Sequence, residues 1–117
     1  MTEAQNSKLY DLEERTFNFA QDCRNFVQKL PRTISNIEYA KQLARSSGSQ
    51  AANYIEANES LSKKDFAHRI RICRKEAKES RLWLRLCDIG SKPDLAEAQR
   101  KLIQESLELT RIFGSIL

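Results

Sequence analysis

The chain holds only three Gly and two Pro in 117 residues, and that scarcity counts against any fold made of many turns. An all-β sandwich needs turn residues about every ten positions, so long helices are expected instead. No run approaches the roughly 18 apolar residues of a spanning helix. The opening stretch MTEAQNSK is polar and lacks the apolar segment of a secretion signal. A cytoplasmic location without membrane association is therefore expected. Histidine occurs once, as His68, with Asp65 three residues before it. A di-metal carboxylate bundle requires Glu-x-x-His on two helices, so neither a metal nor a cofactor is expected. The cysteines, Cys23, Cys73 and Cys87, are odd in number and sit in apolar helical patterns, which suits reduced core thiols better than a disulfide framework.

What is present is enough for one compact domain. Lys and Arg number 20 against 16 Asp and Glu, giving +4 and a pI near 9.1, a soluble and mildly basic balance. Apolar residues recur at alternating steps of three and four in four segments. The first seam is Leu9, Leu12, Thr16, Phe19, Cys23, Phe26 and Leu30, closed by Pro31, because a residue before proline avoids helical angles. The second is Ile37, Ala40, Ala44, Ser47, Ala51 and Tyr54, capped by Thr33, Ser35 or Asn36, with Gly48 allowing close helix packing. The third starts from a cap at Ser60 or Ser62, the latter with Asp65 completing an acidic capping box. It continues through Phe66, Ile70, Cys73, Ala77, Ser80, Leu84 and Cys87 to Ile89, where Gly90 suits a left-handed cap. The fourth carries Leu95, Ala98, Leu102, Leu109, Ile112 and Ile116. The spacing predicts helices over about 10–29, 36–57, 62–89 and 94–116. Loops this short join antiparallel neighbours, so residues 1–117 are expected to form a single all-α domain, an up-down-up-down four-helix bundle.

Charge is uneven along the chain. Residues 62–89 hold nine Lys and Arg against four acids. Arg71, Arg74, Lys78, Arg81 and Arg85 step by three and four, which lines them up on one stripe roughly 100° from the apolar seam, and Lys64 extends it. Such a stripe is either a solvated face or a track for phosphates, since aligned cations release counterions on binding nucleic acid.

On the same segment Leu82, Leu86 and Ile89 point away from the seam, and Trp83 takes a third direction. Surplus apolar faces mark association sites, so these four are the expected subunit interface, the alternative being that Trp83 widens the core stripe and the leucines cover a loop. Arg45, Asn53, Glu56, Lys75 and Glu76 lean inward and are expected to form a polar network between helices two and three that fixes register. Catalysis has no candidate. Glu76 and Glu79 with Lys75 and Lys78 have the spacing of local charge pairs on a helix surface. The stretch Arg45-Ser46-Ser47-Gly48-Ser49 lacks the Gly-Lys-Ser/Thr ending of a phosphate loop.

The stretches DLEERTFNFAQDCRNFVQKLP, KQLARSSGSQAANYIEANESLSKKDF and IRICRKEAKESRLWLRL closely resemble the four-helix bundle family named for proteins encoded in 23S ribosomal RNA intervening sequences. The matching positions are Arg45, Ser46, Ser47, Asn53, Glu56, Asp65, Phe66, Lys75, Glu76, Glu79, Trp83 and Leu84. The resemblance implies a bundle that assembles into a ring, commonly of five subunits, with no known enzymatic activity. A related accessory protein of diversity-generating retroelements is similar in fold, forms a basic pentameric barrel and works with a reverse transcriptase and nucleic acid.

These readings together predict a non-enzymatic homo-oligomer that binds RNA, or DNA, electrostatically through the stripe on helix three. The alternative is a protein-interaction scaffold that docks a partner enzyme.

Overall fold

The structure is a computed structural model that describes residues 3–117, with side chains from Leu12 onward. Four helices follow one another: α1 (Glu3–Gln28), α2 (Ile34–Asn58), α3 (Lys63–Leu86) and α4 (Pro93–Ile116). Their starts have local causes. Thr33 Oγ1 accepts from the Asn36 amide at 3.1 Å, and Ser62 Oγ accepts from the Asp65 amide at 3.1 Å. Each satisfies a first-turn donor that the helix itself cannot. At α4, Pro93 occupies the first turn with Asp94 beside it, and neither needs a helical N–H partner there.

Cross-helix partners set the directions. Thr16 and Glu13 of α1 meet Gln50 and Asn58 of α2. Ser46 and Asn53 of α2 meet Ser80 and Arg69 of α3. Leu84 of α3 meets Gln99 of α4, while Arg74 lies against Gly114. Arg15 of α1 and Lys29 just after it meet Glu105 and Lys92 at the α4 side. In every pair one number rises as the other falls, so each helix runs antiparallel to its neighbours and α4 returns to α1. The principal extents are 47 × 25 × 17 Å.

The first, third and fourth seams face the core. Leu12, Phe19, Cys23, Phe26 and Leu30 are buried with Ile70, Cys73, Ala77, Leu84 and Cys87, and with Leu95, Leu102, Leu109 and Phe113. Thr16 and Ser80 from those seams are buried too. The side chain of Leu9 lies outside the described residues.

Two boundaries and one face differ from expectation. α1 begins at Glu3, earlier than the expected residue 10. α3 stops at Leu86, so it is about 36 Å long at 1.5 Å per residue, and Cys87 turns out of the helix with ψ 130. Gly90 does take a left-handed φ of 66, but in the loop rather than at the helix end. On α2 the buried positions are Asn36, Leu43, Ser46, Ser47, Gln50, Tyr54 and Ala57, a face rotated from the alanine stripe that apolar spacing selects. Small hydroxyls are accepted there because they are satisfied: Ser46 Oγ lies 2.8 Å from Ser80 Oγ, and Gln50 Nε2 donates to the Thr16 and Ser47 carbonyls. Of the expected seam Ser47 and Tyr54 are buried and Ala40 and Ala51 half-buried, while Ile37 and Ala44 are left outside. Ile37 is 41% and Ile55 47% exposed, Ala44 is exposed between them, and a Cβ built on Gly48 would meet nothing within 4 Å. Gly48 therefore opens no packing space inside this chain.

Candidate polyanion-binding face

α3 carries nine Lys and Arg against three acids, and the structure decides what those acids do. Arg45 reaches across from α2, donating to Glu76 Oε2 at 3.1 Å and Glu79 Oε2 at 3.0 Å. Glu76 is 6% exposed at its side chain while Arg45 is 55% exposed, so the carboxylate is desolvated and its partner half in water. The third acid, Asp65, lies in the first turn of α3. Both mid-helix carboxylates are thus bonded to a cation from another helix.

The stripe itself is therefore left bare. Lys64, Arg71, Lys78 and Arg85 are exposed, while Arg74 and Arg81 are half-buried toward α4. Arg74 Nη1 lies 3.8 Å from the position of a Cβ on Gly114, and Arg81 Nε is enclosed without a hydrogen-bond partner. Among the described residues none of the six makes an ion pair. Arg71, Arg74, Lys75 and Lys78, with Glu79 at one edge, line a shallow depression of about 350 Å³. Three of the four acids of α4, Glu97, Glu105 and Glu108, are engaged elsewhere. Glu105 accepts two bonds at 2.7 Å from Arg15 of α1, and this contact pushes the Arg15 guanidinium pKa up. Glu97 is bound by Arg100 at 2.6 Å, a hydrogen bond that lowers its pKa.

The expected polar network divides in two. Arg45 and Glu76 do meet, joined by Glu79. Asn53 instead accepts from Arg69 Nη1 at 3.0 Å and donates to Ser49. Glu56 and Lys75 are exposed and join neither group, Glu56 lining a depression at the α2–α3 turn with Glu59, Asp65 and His68. Lys75 lies on the outer side of α3, nearly opposite Cys73 at 100° per residue, so it cannot reach α2.

The four apolar residues expected at a subunit interface also separate. Leu82 and Leu86 are 47% and 44% exposed, whereas Trp83 and Ile89 are half-buried against the chain's own core. Trp83 stacks on Tyr39 with centroids 6.2 Å apart. The face that sequence reading missed is the Ile37–Ile55 stripe of α2, and the spacing that could have found it was assigned to the interior.

All three thiols are buried and unpaired. Burial raises the Cys73 thiol to about 12 and the Cys87 thiol to about 11, and raises Cys23 further. Such thiols are poor nucleophiles. Among the described residues no three His, Cys, Asp or Glu side chains are placed to hold a metal, and no helix is long and apolar enough to cross a membrane.

The geometry defines an antiparallel four-helix bundle with one cationic helix whose internal acids are neutralised from outside. Residues 9–114 match the family described as 23S rRNA-intervening sequence protein, and the chain belongs to that family. A crystal structure of a protein of unknown function from the S23 ribosomal protein family, from Bacteroides thetaiotaomicron, superposes with a TM-score of 0.75 at 26% identity. The match covers 90% of this chain and 96% of that one. No curated protein matches.

Proposed function

We propose that this protein is a non-enzymatic, self-associating bundle that binds RNA, or another nucleic acid, through phosphate contacts made by α3. The observation that carries the reading is the capture of Glu76 and Glu79 by Arg45, which leaves Lys64, Arg71, Lys78 and Arg85 without carboxylates of their own. A solvated surface helix ordinarily interleaves its charges as i,i+3 and i,i+4 pairs. Here the cations stand ready for an external anion, with Arg74 and Arg81 as a second row along α4. Self-association rests on Leu82 and Leu86 together with the outer stripe of α2, since apolar patches left on a surface mark contact sites. A ring of five follows the family resemblance. Ring symmetry would multiply a few phosphate contacts per subunit into useful avidity.

The test is fluorescence anisotropy with a structured RNA across a salt series. Affinity should fall linearly in log salt, with a slope that counts the phosphates neutralised. Replacing Arg71, Lys78 and Arg85 together by Glu should abolish binding while leaving the helical circular dichroism intact. Unchanged affinity would refute the assignment.

A second reading, a scaffold docking a partner enzyme, draws on the exposed pair Leu82 and Leu86. Retention of a defined protein after nuclease treatment, lost in Leu82→Ser/Leu86→Ser, would favour it.

A further inference from the structure

The row of cations has a geometry that selects among nucleic acids. Arg71, Lys78 and Arg85 are separated by seven residues each, so they recur on almost one line every 10.5 Å or so, spanning about 21 Å of rigid helix. Between them Arg74 and Arg81 are half-buried on the α4 side, Arg74 against Gly114. The surface is an open helix edge with one shallow depression, not a channel that could enclose a strand.

Among the described residues no aromatic side chain shares this face. Phe19, Phe26, Tyr54 and Phe113 are in the core, Tyr39 and Trp83 stack on one another, Phe66 packs against the core, and the exposed Phe17 belongs to α1. Sites for single strands follow the flexible backbone in a groove and gain about 1–3 kcal/mol per base from aromatic stacking. This face has neither device. What it offers is fixed charge in fixed positions, and that suits a stiff polyanion. A duplex presents one charge per about 1.7 Å of axis, roughly twice the density of one strand, and releases more counterion per phosphate contacted.

We infer that the α3 row binds double-stranded nucleic acid in preference to single strands, through the phosphate backbone. The inference rests on the phosphate-binding reading above and narrows it to a duplex. Backbone contacts position a protein without reading sequence, so one duplex sequence should bind much like another.

The experiment uses the full chain and four fluorescein-labelled probes: an RNA duplex, the DNA duplex of the same sequence, and one unpaired strand of each. At low salt, at least one duplex should bind about tenfold tighter or more than its own single strand, in keeping with the difference in charge density. Preference for the RNA or the DNA duplex would identify the source of the phosphates, and either supports the inference. The neutral triple variant Arg71→Gln/Lys78→Gln/Arg85→Gln should lose that duplex preference while remaining helical. Single strands binding as tightly as duplexes would overturn the inference yet leave the phosphate-binding reading intact. Absence of binding to all four probes would overturn both. A duplex preference that survived the triple variant would overturn the assignment to this row.

Discussion

The side chain of Asn36 and the backbone of Asp88 grip each other from both sides. Asn36 Nδ2 donates to the Asp88 carbonyl at 2.8 Å, and the Asp88 amide donates back to Asn36 Oδ1 at 2.9 Å. The same Nδ2 donates to the Pro31 carbonyl at 2.9 Å. One buried amide therefore fastens the start of α2 to both loops at that end of the bundle. Asn36→Ala would strand three polar groups in a place that water reaches poorly. We expect a loss of about 2–3 kcal/mol, measured by urea denaturation with an unchanged m-value. A loss under about 0.5 kcal/mol would mean that the loops find other partners.

Arg45→Ala should also destabilise, because Glu76 would remain buried without a cation. A fully buried pair costs about 3–5 kcal/mol to break and an exposed pair under about 1. With Arg45 itself half in water, about 1–2 kcal/mol is expected. Adding Glu76→Leu should recover most of it, since the isolated charge is then gone. The same Arg45 variant should weaken nucleic-acid binding, as Glu79 would be free to pair with Lys75 one turn away and return an uncompensated acid to the edge of the cationic face. Thermal melts and anisotropy on one set of variants check both effects.

The thiols predict a behaviour in alkali. Burial raises the native thiols from 9.0 to about 12 for Cys73 and about 11 for Cys87, whereas an unfolded chain titrates near the ordinary value. Above pH 9 the unfolded state therefore holds fewer protons than the native one, and stability must fall as pH rises. The stabilising contribution is complete below pH 9 and is lost on the way through about 11 and about 12. Melting temperature against pH should bend downward above 9. At pH 8 a thiol reagent should label the native protein slowly and all three cysteines in denaturant; rapid native labelling would contradict the burial.

At Gly48 the empty space around a would-be Cβ makes two outcomes separable. Gly48→Ala should stabilise the bundle by about 0.5–1 kcal/mol, the usual gain on replacing a mid-helix glycine. Gly48→Leu should leave the melt nearly unchanged. If a neighbouring subunit lies on this stripe of α2, the leucine should lower the mass measured by light scattering. Should the contact lie at Leu82 and Leu86 instead, only Leu82→Ser/Leu86→Ser would do so.

Much of this was legible from spacing. Helices α1, α3 and α4 could be oriented from apolar periodicity because their buried faces are apolar along most of their length. Capping chemistry is local, so Thr33 and Ser62 were among the caps the sequence offered, and the structure selects them over Ser35, Asn36 and Ser60. α2 was only partly oriented: Ser47 and Tyr54 of its seam are buried, but Ser46 and Gln50 were missed because their burial depends on partners such as Ser80 and the Thr16 carbonyl on other helices. The end of α3 was missed for a related reason. Asn36 engages the backbone of Asp88 from 52 residues away, and those bonds are incompatible with continuing the helix through Ile89. Of the candidate site, the cationic stripe was visible in the sequence. The role of Arg45 in disarming the neighbouring acids was visible only as a membership in a network, since its reach to Glu79 depends on how α2 and α3 cross.

The seam between α1 and α4 has a dynamic consequence. Among the described residues these two helices share the least contact of any adjacent pair, while α2 and α3 share the most. Beside its apolar packing, the seam is clasped by the ion pairs of Arg15 with Glu105 and Glu108, which are partly exposed and so sensitive to salt. Opening there needs no break in the α2–α3 hairpin. Backbone amides of α1 and α4 should then exchange with solvent through a partial opening that salt promotes, while those at the centre of α2 and α3 wait for global unfolding. The two outer helices would behave as hinged leaves on a rigid spine, and the spine is the half of the molecule that carries the cations.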